Sequence, residues 1–259
     1  MKRLLLAATL LAAPFAALAQ TPAPIPAPAP VNPAAIAVAR TTLPGWPAEV
    51  AQTRALAAAD PQAQVVWLGD SITYYWHLNG GHGWDNIQPV WEKYYAPYHG
   101  LALGIIGDTT SNLIWRMDHG EVDGLHPKLV IILIGANNFG RLHWGASMTV
   151  PGIEAAVADA QKHMPQAHIV VLGVLPSIRS PWVDQQTEAT NAALAAQYKG
   201  SDNVTFVDVG YVLKSNGKVD TTLFFDPKLP TPEPPLHPNA TGMGRIAAVL
   251  APLVRQYTQ

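Results

Sequence analysis

The chain has 259 residues, a formal net charge of −2 and no cysteine, which excludes disulfide staples, thiolate metal sites and attachment through a lipidated cysteine. Charged residues make up 13%, against roughly 25% in ordinary globular chains. No cluster of Lys and Arg offers a face for nucleic acid.

The N-terminus opens with Met1-Lys2-Arg3, continues in an apolar run from Leu4 to Ala17 and reaches the small-x-small site Ala17-Leu18-Ala19. This pattern predicts a secretory signal peptide over residues 1–19, and hence a periplasmic or secreted protein. The run contains Pro14 and is short for a membrane span, and no comparable run follows it, so no span is expected after cleavage. Residues 20–46 are rich in Pro and Ala, including Pro26-Ala27-Pro28-Ala29-Pro30. Such a stretch favours extended polyproline conformation and reads as a linker or tail. Residues 47–259, about 210 positions, fit one domain.

Within that domain helix-like and strand-like segments alternate. Residues 48–59 read as helix, 65–68 as strand, 71–78 as helix, 100–106 as a weaker strand, and 111–117 as helix from the spacing of Leu113, Ile114 and Met117. Residues 129–134 are a continuous apolar run bounded by Lys128 and Gly135, the clearest strand in the chain. Residues 152–162 read as helix, 169–174 as strand, 182–198 as helix, 204–209 as strand and 240–257 as the last helix. Continuous rather than alternating apolar strands between helices predict a parallel sheet covered on both faces. The expected architecture is a three-layer α/β/α sandwich with about five strands. Its ligand site would lie beyond the carboxyl ends of those strands.

Polar residues stand where that edge should be. Ser71 follows the first strand through Gly69-Asp70, Gly107 follows the second and Asn137 the third, while His237 precedes the last helix. Gly69-Asp70-Ser71 could equally be an ordinary strand-to-helix turn, and Asn137 a loop cap. A serine hydroxyl needs a base to become a nucleophile, and His237 is the candidate. The oxyanion formed on attack needs donors, which the N–H groups of Ser71 and Gly107 and the Asn137 amide would supply. Tyr74-Tyr75-Trp76-His77, Gly80-Gly81-His82-Gly83-Trp84 and Leu142-His143-Trp144 could line a substrate rim or simply pack.

Gly69-Asp70-Ser71, Gly107, Asn137 and His237 occur in order at the four blocks of the SGNH (GDSL-type) hydrolases, which the chain resembles from about Val65 onward. Gly104-Ile105-Ile106-Gly107-Asp108-Thr109-Thr110, Leu113-Ile114-Trp115-Arg116-Met117, His119-Gly120-Glu121 and Gly135-Ala136-Asn137-Asn138 are most similar to the platelet-activating-factor acetylhydrolase Ib type of that family. The resemblance implies a flavodoxin-like fold, a Ser71 nucleophile, a His237 base, an oxyanion hole from Ser71, Gly107 and Asn137, and neither metal nor organic cofactor. Block III commonly has Thr where this chain has Ala136. The larger departure is Pro234, which stands three residues before His237, where the family usually has Asp. Asp226, in Phe224-Phe225-Asp226, is the favoured replacement, with residues 227–235 looping out. Glu233 or a backbone carbonyl would be the alternatives. The expected activity is serine hydrolysis of short-chain, acetyl-type esters on a small-molecule or polysaccharide substrate. A lipid or lysophospholipid esterase, a thioesterase and a non-catalytic binding protein on the same fold are the other readings.

Overall fold

The computed structural model describes residues 31–81 and 85–259. The expected signal peptide, the first part of the Pro/Ala stretch, and His82, Gly83 and Trp84 lie outside the described residues. Five parallel strands form the sheet in the order β2-β1-β3-β4-β5, with β1 Val65–Gly69, β2 Gly100–Gly104, β3 Leu129–Leu133, β4 His168–Leu172 and β5 Val204–Val207. The helices are α1 Trp46–Ala59, α2 Ser71–Tyr74, α3 Gln88–Tyr94, α4 Thr110–Asp118, α5 Ala136–Leu142, α6 Ala146–His163, α7 Pro181–Gln197 and α8 Ala240–Thr258. A small antiparallel pair, β6 Lys214–Ser215 and β7 Lys218–Val219, stands apart from the sheet.

The strands are apolar at nearly every position, His168 of β4 and Thr205 of β5 excepted, because each feeds two cores. Successive side chains point to opposite faces. Val66, Leu68, Val130, Ile132, Ile169 and Val171 pack with Leu113 and Met117 of α4 and with Ile153 and Val157 of α6. Val65, Trp67, Leu129, Ile131, Val170 and Leu172 face the other way, onto Trp76, Tyr95 and the α8 residues Met243, Ile246 and Leu250. Trp76, expected either to rim a substrate or to pack, is buried against Trp67, Tyr95 and Trp91.

Register fixes the site. Gly69 is level with Gly104 on one side and with Leu133 on the other, so the chain leaves β1, β2 and β3 at one height. The backbones there run so close that a Cβ at Gly104 would lie 2.1 Å from the Tyr74 nitrogen, and only glycine fits.

Several expected boundaries shift. The helix expected over 71–78 is α helix only to Tyr74, then a 3-10 turn, Tyr75–His77. Strand β2 stops at Gly104 rather than 106, because residues 105–107 turn away toward the site. Helix α6 begins at Ala146, six residues early, with Pro151 inside its first turns. Residues 31–45, which composition assigns to a linker, are packed on the domain. Ala34 is fully buried, its carbonyl accepts from Thr110 Oγ1 (2.7 Å), and Val38 N–H donates to the Ser111 carbonyl (3.0 Å).

Candidate active site

Asp70 follows β1 and caps α2, its Oδ1 accepting the Ile72 N–H (3.0 Å). This places Ser71 at the first position of α2, where an N–H has no intrahelical acceptor. Ser71 Oγ lies 3.0 Å from His237 Nε2. His237 Nδ1 in turn lies 2.6 Å from Asp226 Oδ1. The other Asp226 oxygen accepts two backbone N–H groups, from Leu236 (2.9 Å) and His237 (2.7 Å). Burial pushes the Asp226 carboxyl upward, but the bonds and charge of His237 and the Leu236 N–H outweigh it and hold the group below its ordinary value.

The proline-rich stretch before His237 loops out from a closed neck. Phe225 N–H donates to the His237 carbonyl (3.1 Å), Asn239 N–H to the Leu223 carbonyl (2.9 Å), and Glu233 N–H to the Asp226 carbonyl (3.2 Å). The neck delivers Asp226, eleven residues upstream in sequence, to the ring, while Glu233 is exposed. Neither Glu233 nor a backbone carbonyl takes the Nδ1 position. Phe225 stacks on the His237 ring at 5.4 Å and Tyr75 meets it edge-on at 4.7 Å, so the imidazole is held on both flanks.

Gly107 sits in the turn after β2 at φ +76°, a conformation that favours glycine. No acceptor among the described residues takes its N–H. Asn137, in the first turn of α5, donates through Nδ2 to the Asp108 carbonyl (3.0 Å) and to Asp70 Oδ2 (3.3 Å). Burial pushes Asp70 up to about 6. Ser71, Gly107, Asn137, His237 and Asp226 therefore converge on one sheet edge.

A buried charge network beneath these residues was not anticipated. Arg116 is fully buried on α4. Its Nε lies 2.8 Å from Asp108 Oδ2 and its Nη1 pairs with Glu121, while its Nη2 donates to the Gly69 carbonyl (2.8 Å) and its Nη1 to the Leu103 carbonyl (3.2 Å). Asp108 Oδ1 also accepts from Trp46 Nε1 (2.8 Å). One guanidinium thus ties the ends of β1 and β2 to the loop that carries Gly107.

Among the described residues, Asp118, Asp159 and His163 have donor atoms close enough to share a metal ion. Lys162 Nζ already occupies them, at 2.7 Å from Asp118 and 3.3 Å from Asp159. The trio lies at the carboxyl ends of α4 and α6, which return toward the opposite sheet edge from Ser71.

Residues 67–245 match the model of the GDSL-like lipase/acylhydrolase family. The chain is 30% identical to the platelet-activating factor acetylhydrolase IB subunit alpha2 of Rattus norvegicus over 87% of its own length and 91% of that protein. A GDSL-like lipase structure from Bacteroides thetaiotaomicron superposes with a TM-score of 0.62 at 18% identity, covering 80% of this chain and 97% of that one. The structure of a carbohydrate acetylesterase family member from Sinorhizobium meliloti gives 0.57 at 18% identity, over 76% and 99%. With the family's match spanning most of the domain, the chain belongs to the GDSL-like lipase/acylhydrolases, a family of serine esterases.

Proposed function

We propose that this protein is an exported serine esterase that removes short acyl groups, acetyl foremost, from small-molecule or polysaccharide esters, with Ser71, His237 and Asp226 as its catalytic residues. The observation that carries the reading is the unbroken chain of contacts from Ser71 Oγ through His237 to Asp226. Ser71 Oγ attacks the ester carbonyl carbon while its proton passes to His237 Nε2. The negative charge that develops on the carbonyl oxygen is received by the free N–H groups of Ser71 and Gly107 and by Asn137 Nδ2, which exchanges its longer bond to Asp70 for this one. Donors preset in this way are each worth about 3 kcal/mol of barrier. Collapse expels the alcohol, which takes the proton from Nε2. Water then attacks the acyl-serine by the same route in reverse, releasing the carboxylic acid and restoring Ser71.

Two similar proteins carry acetyl-ester names, one a platelet-activating factor acetylhydrolase and the other a carbohydrate acetylesterase family member, which supports acetyl as the acyl group. Export rests on the signal-like residues 1–19 and favours an envelope or environmental ester over an intracellular thioester. Its check is fractionation of expressing cells with N-terminal sequencing, a mature start at Gln20 being expected. For the chemistry, Ser71→Ala should abolish p-nitrophenyl acetate hydrolysis and fluorophosphonate labelling while circular dichroism stays unchanged. Retained activity in that variant overturns the assignment. A panel of acetylated xylan, short and long p-nitrophenyl esters and lysophospholipid ranks the substrate classes.

A further inference from the structure

We propose that Arg40 and Arg141 form an anion-recognition subsite at the mouth of the Ser71 site, selecting esters that carry a carboxylate or phosphate beyond the scissile bond. The inference rests on the esterase reading above. Arg40 belongs to the segment before α1, pinned to the domain by Thr110 and Ser111 and by Asn112 Nδ2, which donates to the Val38 carbonyl (2.9 Å). That anchoring sets Arg40 Nη1 on the Ile106 carbonyl at 2.7 Å. Both of its terminal nitrogens come within 3.0 Å of where a Cβ on Gly107 would stand. Arg141, in the last turn of α5, donates to the Gly107 carbonyl. Two guanidinium groups from distant segments therefore meet at the residue whose N–H is offered to the oxyanion.

Their charges are only partly compensated. Arg40 reaches Asp108 only at 3.8 Å, and Asp108 is already engaged by Arg116 and Trp46. Burial, followed by the charge of Arg141, holds the Arg40 guanidinium below its ordinary value against the opposing pull of the Asp108 and Glu49 carboxylates. Arg141 is exposed and has no carboxylate within ion-pair distance among the described residues. Arg40 Nε is buried without an acceptor. A third guanidinium, Arg179, donates to the Ala136 carbonyl (3.2 Å) at the start of α5. Exposed apolar side chains, Ile106, Leu142 and Ile178, adjoin these arginines in sequence or contact. Arg141, held beside Arg40 and with no counterion of its own among the described residues, is stabilised by an arriving anion, and the planar guanidinium fork matches a carboxylate or phosphate.

If the two arginines served only to staple the carbonyls of residues 106 and 107, their removal would impair every ester alike. The test uses 4-acetoxybenzoate and its methyl ester, which share acetyl group and ring and differ by one charge. The full chain and its Arg40→Met, Arg141→Met and Arg141→Lys variants are assayed on both. The ratio of kcat/KM for the charged ester to that for the neutral ester should fall on the order of tenfold in each Met variant. It should be only partly kept in Arg141→Lys, which retains the charge but not the fork, and should shrink for the wild type as salt is raised. 4-Acetoxyphenyl phosphate, assayed in parallel, ranks phosphate against carboxylate. A ratio unchanged in both Met variants, or equal losses on both esters, overturns the subsite. If the wild type hydrolyses neither ester, the esterase reading is what has failed. Calorimetric binding of 4-acetoxybenzoate, weakened in Arg141→Met if the subsite exists and unchanged if it does not, then decides the subsite alone.

Discussion

The sharpest consequence of the geometry concerns Asp226→Asn. One oxygen of Asp226 faces His237 Nδ1, and the other is the target of two backbone N–H groups, from Leu236 and His237. An amide at this position has one oxygen to offer. Turning its NH2 toward the two backbone donors would leave three buried donors facing one another, each unsatisfied at about 1–3 kcal/mol. The oxygen must therefore take the backbone side, and the NH2 then faces His237 Nδ1. That nitrogen becomes an acceptor, the ring proton moves to Nε2, and Nε2 can no longer receive the proton of Ser71. Aspartate-to-asparagine exchange in a serine triad costs about 10⁴ in kcat through the same wrong tautomer, which is about 5 kcal/mol of barrier. Steady-state kinetics on p-nitrophenyl acetate should show this loss in kcat with KM little changed and the fold intact by circular dichroism. Glu233→Gln, on the exposed loop, should stay within about twofold of wild type. A loss below tenfold in Asp226→Asn would refute the argument.

Two further predictions concern the frame around the site. Arg116→Met leaves Asp108 and Glu121 buried without their shared cation and should destabilise the fold by about 3–5 kcal/mol, read as a drop in Tm of roughly 6–20 °C; a drop of about 2 °C or less would show that the network is dispensable. Asp70, pushed by burial from 3.8 to about 6, binds its proton more tightly folded than unfolded. Its contribution to stability is therefore present below about pH 4 and lost as pH rises toward 6, about 3 kcal/mol in all. Asp226 works in the opposite sense. Its depressed value adds stability above the unfolded range, which is lost as pH falls through the folded value. Replacing Asp70 by Asn removes only the first effect, so the Tm of Asp70→Asn relative to wild type should climb by several degrees between about pH 4 and pH 7. A constant difference across that range would contradict the burial argument.

The strands were legible because each serves two cores, so residues 65–68 and 129–134 are apolar throughout and resemble little else. Their helices were legible by spacing, as in Leu113, Ile114 and Met117. Helix α3 was not, since it buries no side chain fully and meets the core only through the half-buried Val90, Trp91 and Tyr94. Helix α5 was hidden because its first turn begins after Gly135, at φ +125°, and reads as a loop. Within the site, Gly69-Asp70-Ser71, Gly107 and Asn137 each follow a strand and are readable from position alone. The relation of Asp226 to His237 is not, because a nine-residue loop separates them and only the antiparallel neck between residues 223–226 and 236–239 shows that the two ends meet.

The segment before α1 is where composition misled most. Proline and alanine dominate it, but Arg40 within it and Trp46 at the start of α1 are out of place in a solvated tail, and that was the available signal. Trp46 buries its ring against Trp115 and spends its one donor on Asp108; Arg40 caps the loop that holds Gly107. Asp108 collects contributions from four residues, Trp46, Arg116 and Arg40 on its carboxylate and Asn137 on its carbonyl. Spacing along the chain cannot reveal a residue whose partners lie 8, 29, 62 and 68 positions away. The charge pattern could have hinted at it, since Asp108, Arg116 and Glu121 are unusual in so apolar a chain, and a charge that must be buried needs a partner. Because Asp108 directly follows Gly107 and its N–H closes the turn onto the Ile105 carbonyl (3.2 Å), whatever steadies its carboxylate also steadies the turn that holds Gly107. The segment before α1 thus belongs to the oxyanion loop in physical terms, although it lies about 60 residues upstream in sequence.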